Sequence, residues 1–358
     1  MNKRYWITSF FVILFLITSS FFVFNIFVDP YGLNNFFSIN KINENKTQTD
    51  AQSRIYKLRL LKQQENVEGL FLGGSRATFL GNTEKIEKLT GKNFYNFAMN
   101  EQEIFEMYHY LQDAIKEFEI NELVISLDTI QFDKKRSLFN QEHPKVLNTY
   151  KNDFKYYLSY KTFIDSMKTV YKNMTDRPLI YSSDGWKVVN IFDYYNIKVK
   201  DQDKYLISAL NLNNKWSSIK KTFKIDMDKL YYFYKIIDLC KDNNIDVKVF
   251  FNPIYKLHYF PFYSQNKIEI QKLKMLISDK TEFYDFTSMN VITKDYHNFI
   301  DSVSHPQQYL SNHILDYIYS SKRYDDFGFL VNKLNINEYF KDFDEKFNKE
   351  FSKNVSYK

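Results

Sequence analysis

The stretch Val67-Glu68-Gly69-Leu70-Phe71-Leu72-Gly73-Gly74-Ser75-Arg76 decides how the rest of the chain reads. An apolar run of strand length ends in two glycines and a serine, and a helix-compatible segment opens near Asn82. Glycine lets a chain turn sharply because it lacks the Cβ that forbids φ > 0 and close backbone approach. A serine just past such a turn stands at the carboxyl edge of a sheet, where open α/β folds place their ligands. On its own a Gly-Gly-Ser turn is ordinary punctuation with a solvated hydroxyl. What distinguishes Ser75 comes from the remainder of the chain.

Downstream, residues 93–98 read as a second strand. Residues 101–118 read as a helix with Ile104, Met107, Tyr108 and Leu111 on one face, and 122–127 as a third strand. From about 129 to 224 the alternation lapses into a Tyr/Lys/Asn-rich segment carrying Pro178, Trp186 and Trp216, which reads as an insertion or cap. Regularity then resumes with a helix at 228–242 and a strand at 246–251 that runs into Asn252-Pro253. A helix at 266–277, a strand at 282–286 and a helix at 306–319 follow. Strands alternating with helices imply right-handed βαβ units. The expected fold class is therefore α/β, a three-layer α/β/α sandwich with a mostly parallel five-stranded sheet. Upstream, 51–64 reads as an amphipathic helix. Downstream, 322–358 is a Phe-rich amphipathic extension that could cover the sheet, meet a partner or lie on a membrane.

Residues Tyr5–Val28 carry no charge and are mostly Phe, Ile, Leu and Val. As a helix the run is about 36 Å long, enough to cross a hydrocarbon core of roughly 30 Å. Lys3 and Arg4 precede it and Asp29 follows, so the positive-inside rule puts the N-terminus in the cytoplasm and the rest outside. A cleaved signal peptide is the rival reading, but the apolar run continues well past the weak site at Thr18-Ser19-Ser20. The expected organisation is a tip and transmembrane anchor at 1–28, a linker at 29–50, an α/β domain at 51–321 with its insertion at 129–224, and the extension at 322–358.

Composition narrows the classes further. A hydrophobic share of 44% and an aromatic share of 19% exclude a disordered chain. The net charge of +6 is scattered, with no basic stripe interleaved with aromatics, so nucleic acid is not an expected partner. The single cysteine, Cys240, lies in an apolar helical pattern. One cysteine cannot form an internal disulfide, and no Cys/His metal spacing exists, so no metal or other cofactor is expected.

The second informative stretch is Phe299-Ile300-Asp301-Ser302-Val303-Ser304-His305-Pro306. Proline suits the first position of a helix and biases its predecessor away from the α region. His305 is then expected at a helix start, where the dipole disfavours imidazolium and keeps the ring a base. Asp301 could orient the ring through its other nitrogen. Serine needs such a base, and the base needs its tautomer fixed. The other histidines, His109, His143, His258, His297 and His313, read as structural.

These residues resemble the SGNH/GDSL hydrolase superfamily. Gly73-Gly74-Ser75 follows the first strand, Asn96-Phe97-Ala98 the second, and an Asp…His pair lies near the C-terminus. Asp29-Pro30-Tyr31-Gly32 and the Asn252-Pro253 loop are similar to its membrane-anchored branch, whose members act in acylating alginate, teichoic acid or other surface polymers. The resemblance implies Ser75 as nucleophile, His305 as base and Asp301 as acid, with backbone N–H groups at Ser75, Ala98 and Asn100 as oxyanion donors. It also implies a polysaccharide substrate and a multi-spanning membrane acyltransferase as partner. Four departures stand out. The family's second-block oxyanion glycine has no clear match, and Ala98 to Asn100 occupy its region. The family often has Gly-Asp-Ser where this chain has Gly-Gly-Ser-Arg. Its Asp and His are usually three residues apart, here four, which leaves Asp285 as an alternative acid. Its third-block Asn donor falls on Asp128, and an ionised carboxylate would repel an oxyanion. A catalytically silent domain that binds polysaccharide or scaffolds an acyltransferase is the competing expectation. If the anchor reading holds, protein extracted from membranes retains residues 5–28. N-terminal sequencing that begins near residue 20 refutes it.

Overall fold

The computed structural model describes residues 3–34, 36–46, 53–136, 153–175, 181–188, 197–217, 222–301, 304–320 and 322–355. Pro178, His143 and the end of the linker through Asp50 lie outside them. The helices are α1 (Lys3–Val28), α2 (Ser53–Lys62), α3 (Ser75–Leu80), α4 (Thr83–Thr90), α5 (Ile104–Glu117), α6 (Asp153–Tyr157) and α7 (Tyr160–Met174). They continue as α8 (Val199–Ser217), α9 (Met227–Asp242), α10 (Lys256–Ser278), α11 (Val291–Lys294), α12 (Leu310–Tyr319) and α13 (Ile336–Val355). The strands are β1 (Gly69–Gly73), β2 (Phe94–Asn96), β3 (Glu122–Leu127), β4 (Asp246–Phe251), β5 (Phe283–Asp285) and β6 (Phe329–Val331).

The chain falls into two compact units. One comprises residues 1–63 and 142–181, so part of the segment read as one insertion belongs with the N-terminal helix. The helix α1 is long and apolar enough to cross a membrane. Its last turns pack on α6 and α7 through polar contacts. Asn25 donates to the Tyr157 carbonyl (2.8 Å) and accepts from Ser166 Oγ (3.0 Å), and Tyr31 donates to Asp165 (2.7 Å). Asp29, at φ +44°, ends the helix and accepts the N–H groups of Leu33 and Asn34.

The other unit, residues 64–141 and 182–358, holds the sheet. Strand order is β2-β1-β3-β4-β5-β6. The first five strands are parallel, as the βαβ alternation requires, and β6 runs antiparallel beside β5. The sheet thus has six strands and is mixed, where five mostly parallel ones were expected. The added strand is only three residues long and lies in the Phe-rich extension, whose helical spacing masks it. Side chains alternate across strands. Phe71, Val124 and Phe250 join one core with residues of α3, α4 and α12, while the intervening Leu72, Ile125 and Phe251 are equally buried on the opposite face.

That opposite face carries α10 and α13. Phe343 and Phe347 of α13 pack on Tyr263 of α10 at ring-centroid distances of 4.7 and 5.0 Å, which is where the Phe-rich extension goes. Beneath them lies a fully buried charge pair, Lys274 Nζ to Asp285 Oδ2 at 2.5 Å. Asp285 also accepts from Tyr339 Oη (2.6 Å) and from the N–H and hydroxyl of Thr287. Burial pushes both groups toward neutrality, but the opposing charge outweighs it, lowering Asp285 and raising Lys274. Removing one member strands the other charge in the core. Asp285→Ala should therefore cost about 3–5 kcal/mol in denaturant unfolding. Because Asp285 is held below its unfolded value, its contribution is present above about pH 4 and fades as pH falls further. The variant should lack that acid dependence.

Candidate active site

Ser75 is the first residue of α3, not part of a loose turn before a helix at Asn82. Gly73 allows this. A Cβ there would stand 2.5 Å from Ala77 Cβ and 2.7 Å from the Ser126 carbonyl, closer than any side chain tolerates. The N–H groups that open a helix have no carbonyl partner within it, so Ser75 presents both its hydroxyl and its N–H at the sheet edge.

The Ser75 hydroxyl and His305 Nε2 are 2.8 Å apart, although 230 residues separate them in sequence. His305 Nδ1 lies 2.7 Å from Asp301 Oδ2. Phe79 of α3 packs edge-on against the imidazole at 6.1 Å and helps fix its plane. The expected helix start at Pro306 is not where His305 sits. Helix α12 begins only at Leu310, and Pro306 instead pairs with Phe299 in an antiparallel bridge. The Ile300 N–H donates to the His305 carbonyl (2.7 Å) and the Gln307 N–H to the Asn298 carbonyl (2.9 Å). Proline drives its predecessor to extended geometry, and here that favours a hairpin-like loop over a helix. The ring therefore does not stand at the start of α12, and the helix terminus it meets is that of α3, through Ser75.

The loop also explains the four-residue spacing. Asp301 Oδ1 accepts the N–H groups of Ser304 (2.7 Å) and His305 (2.9 Å), while Oδ2 meets the imidazole. Ser304 Oγ donates to the same Oδ2 at 3.0 Å. Burial pushes the Asp301 carboxyl up, but the hydrogen bond and charge of His305, with those two N–H groups, outweigh it and hold Asp301 well below the usual carboxylate range. Asp285, the alternative acid, is committed to Lys274, Tyr339 and Thr287.

The oxyanion donors are placed unevenly. The Ala98 N–H donates to Asn96 Oδ1 (3.0 Å), which anchors the strand end rather than facing a substrate. Asn100 follows Met99, whose N–H donates to the Gly73 carbonyl (3.0 Å), so its loop crosses the end of β1. Asn100 Oδ1 is buried and has no hydrogen-bond partner among the described residues.

Asp128 is not a bare negative charge. It forms a buried ion pair with Arg76 and accepts from Asn252 Nδ2 (2.9 Å). Asn252 also donates to the Leu127 carbonyl (3.0 Å) and accepts from Ser126 Oγ (2.7 Å). Arg76 Nε in turn donates to the Ser304 carbonyl at 2.7 Å. One guanidinium thus ties the serine helix to the end of β3 and to the histidine loop. The two charges, Arg76 and Asp128, meet and neutralise each other. The motif reading named Arg76 and Asn252 but gave neither a role in the site. The available signal was charge: two opposite charges at adjacent strand ends of one buried sheet must pair to be tolerated.

No protein-family model matches this chain, and no curated protein matches it. Its functional reading rests on the geometry of these side chains.

Arg76→Met leaves Asp128 unpaired in the interior and should destabilise the chain by about 3–5 kcal/mol. Adding Asp128→Asn should recover most of that loss. Unfolding midpoints of the two single variants and the double variant measure the coupling, and purely additive losses would show that the pair does not act as one.

Proposed function

We propose that this chain is a serine acyl-transfer enzyme, an O-acetyltransferase or acetylesterase of SGNH type. It would be held to the membrane by α1 and act outside the cytoplasm on a cell-surface or exported polysaccharide. The observation that carries the reading is the relay Ser75 Oγ, His305 Nε2, His305 Nδ1 and Asp301 Oδ2, with gaps of 2.8 and 2.7 Å.

In this reading His305 Nε2 takes the Ser75 hydroxyl proton as the oxygen attacks an ester carbonyl. Asp301 holds the Nδ1 proton and so fixes the tautomer. The tetrahedral intermediate places its oxyanion at the start of α3, where the Ser75 N–H is one donor. Imidazolium returns its proton to the departing alcohol, leaving an acetyl ester on Ser75. Water or a sugar hydroxyl, deprotonated by His305, then attacks that ester and regenerates Ser75. Water as acceptor gives hydrolysis and a sugar gives transfer. A multi-spanning membrane acyltransferase is the kind of partner that would deliver the acyl group to a membrane-anchored enzyme. The charge of Asp128 does not oppose the oxyanion outright, because Arg76 already balances it. The lowered Asp301 keeps its charge throughout the range in which a neutral imidazole can act as base.

A second reading, a silent domain that binds polysaccharide or scaffolds an acyltransferase, is favoured by the engaged Ala98 N–H and by the absence of the family's Asn at position 128. Release of acetate from a chromogenic acetyl ester separates the two. The enzyme reading expects Ser75→Ala to lose at least about 10³-fold and Asp301→Asn up to about 10⁴-fold in kcat. The acid limb of the pH profile should survive in Asp301→Asn, since Asp301 does not titrate there. Equal turnover in wild type and Ser75→Ala removes the serine from the chemistry and leaves the silent domain.

A further inference from the structure

Helix α7 is built inside out. Its buried face is Thr162, Asp165, Ser166, Thr169 and Asn173, all polar. Those groups are satisfied within the unit: Asp165 accepts from Tyr31, Ser166 donates to Asn25, and Asn173 donates to the Asn45 carbonyl (2.8 Å). Its outward stripe, at helical spacing, is Tyr160, Phe163, Met167, Val170, Tyr171 and Met174. Tyr160, Met167, Tyr171 and Met174 are each more than half exposed. Water-facing helices carry the opposite arrangement. Lys161, Lys168 and Lys172 line one edge of the stripe, Lys168 also pairing with Asp165 at 3.3 Å. An apolar stripe with tyrosines and flanking lysines is the pattern of a helix lying in a lipid interface.

The neighbour of this stripe is α1. Phe163 packs against Phe21 at 4.5 Å and Phe24 at 5.6 Å. Phe24 lies about 28 Å along α1 from Tyr5, near the outer limit of a hydrocarbon core that begins at Tyr5. The stripe therefore continues the apolar surface of α1 at the level where lipid gives way to headgroups. A groove of about 500 Å³ lined by Phe24, Phe27, Ile42, Val170, Met174 and Lys41 opens beside it, and its lining suits an acyl chain. The exposed Phe37 packs on Phe27 of that groove at 5.4 Å.

We propose that α7 is a second membrane-contact element, seated in the outer leaflet beside α1 with its Tyr/Met stripe in lipid and its lysines at the phosphates. The proposal rests on reading α1 as a membrane anchor. It commits to lipid because the stripe is continuous with α1 and edged by cations.

The test uses the full chain in phosphatidylcholine–phosphatidylglycerol vesicles, with a polarity-sensitive fluorophore on one introduced cysteine at a time. The native Cys240 is buried, and its thiol is pushed up to about 12, so it stays unlabelled. Labels at Tyr160→Cys and Met167→Cys report on α7, one at Phe11→Cys on α1, and one at Met227→Cys on the sheet unit as the aqueous control. All four side chains are exposed, so the labels leave packing intact. The expected result is blue-shifted emission and quenching by doxyl lipids at 160, 167 and 11, with iodide quenching several-fold weaker than at 227. If 160 and 167 behave like 227 while 11 is lipid-quenched, the anchor stands, the α7 proposal is overturned, and the stripe is left to a protein partner. If 11 is also water-quenched, the anchor reading fails and α7 docking fails with it.

Discussion

The pairing of Arg76 with Asp128 is the constraint on which the site depends. Each member is nearly buried, and neither is tolerable there alone. Through Asn252, Asp128 joins the ends of β3 and β4, and through Ser304, Arg76 reaches the loop that carries Asp301 and His305. Four segments far apart in the chain thus meet at one ion pair. An apolar contact would tolerate sliding. A guanidinium with two directed partners does not, and the 2.8 Å approach of Ser75 to His305 depends on that fixed register.

Much of this was legible in the residues because period and punctuation carry it. The strands around residues 69–73, 122–127 and 246–251 are short apolar runs bounded by turn residues, and the parallel order follows from the helices between them. Ser75, Asp301 and His305 were visible as residue types that acyl-transfer chemistry needs. What stayed hidden were features set by tertiary contact. Pro306 permits a helix start and an extended bridge equally, and only Phe299 across from it decides. Asp285 reads like any strand-end carboxylate until Lys274 is found on it. β6 is too short for its alternation to show against the helical spacing of its surroundings. The polar inner face of α7 is invisible without knowing which side α1 occupies.

Arg76 and Asp128 also set the electrostatics of this sheet edge together. An unpaired carboxylate at position 128 would be a bare charge in a nearly buried place. Pairing that carboxylate with Arg76, next to Ser75, balances the charge and gains a strut between the serine helix and the histidine loop. Asn252 then supplies the amide hydrogen bonds, donating them into the framework. The charge balance of the site and the ties between its segments thus come from the same two side chains.

The placement of the Lys274–Asp285 pair has a consequence for biogenesis. Its cover, Tyr339 of α13, and the neighbouring edge strand β6 follow every other element of the sheet in chain order. While the polypeptide is emerging, the ammonium and carboxylate remain hydrated under an unfinished roof. The sheet therefore cannot seal as it is synthesised, and the interior dries only when the final segment folds back. A chain cut before Tyr339 would leave the buried pair without that cover, an open and aggregation-exposed species.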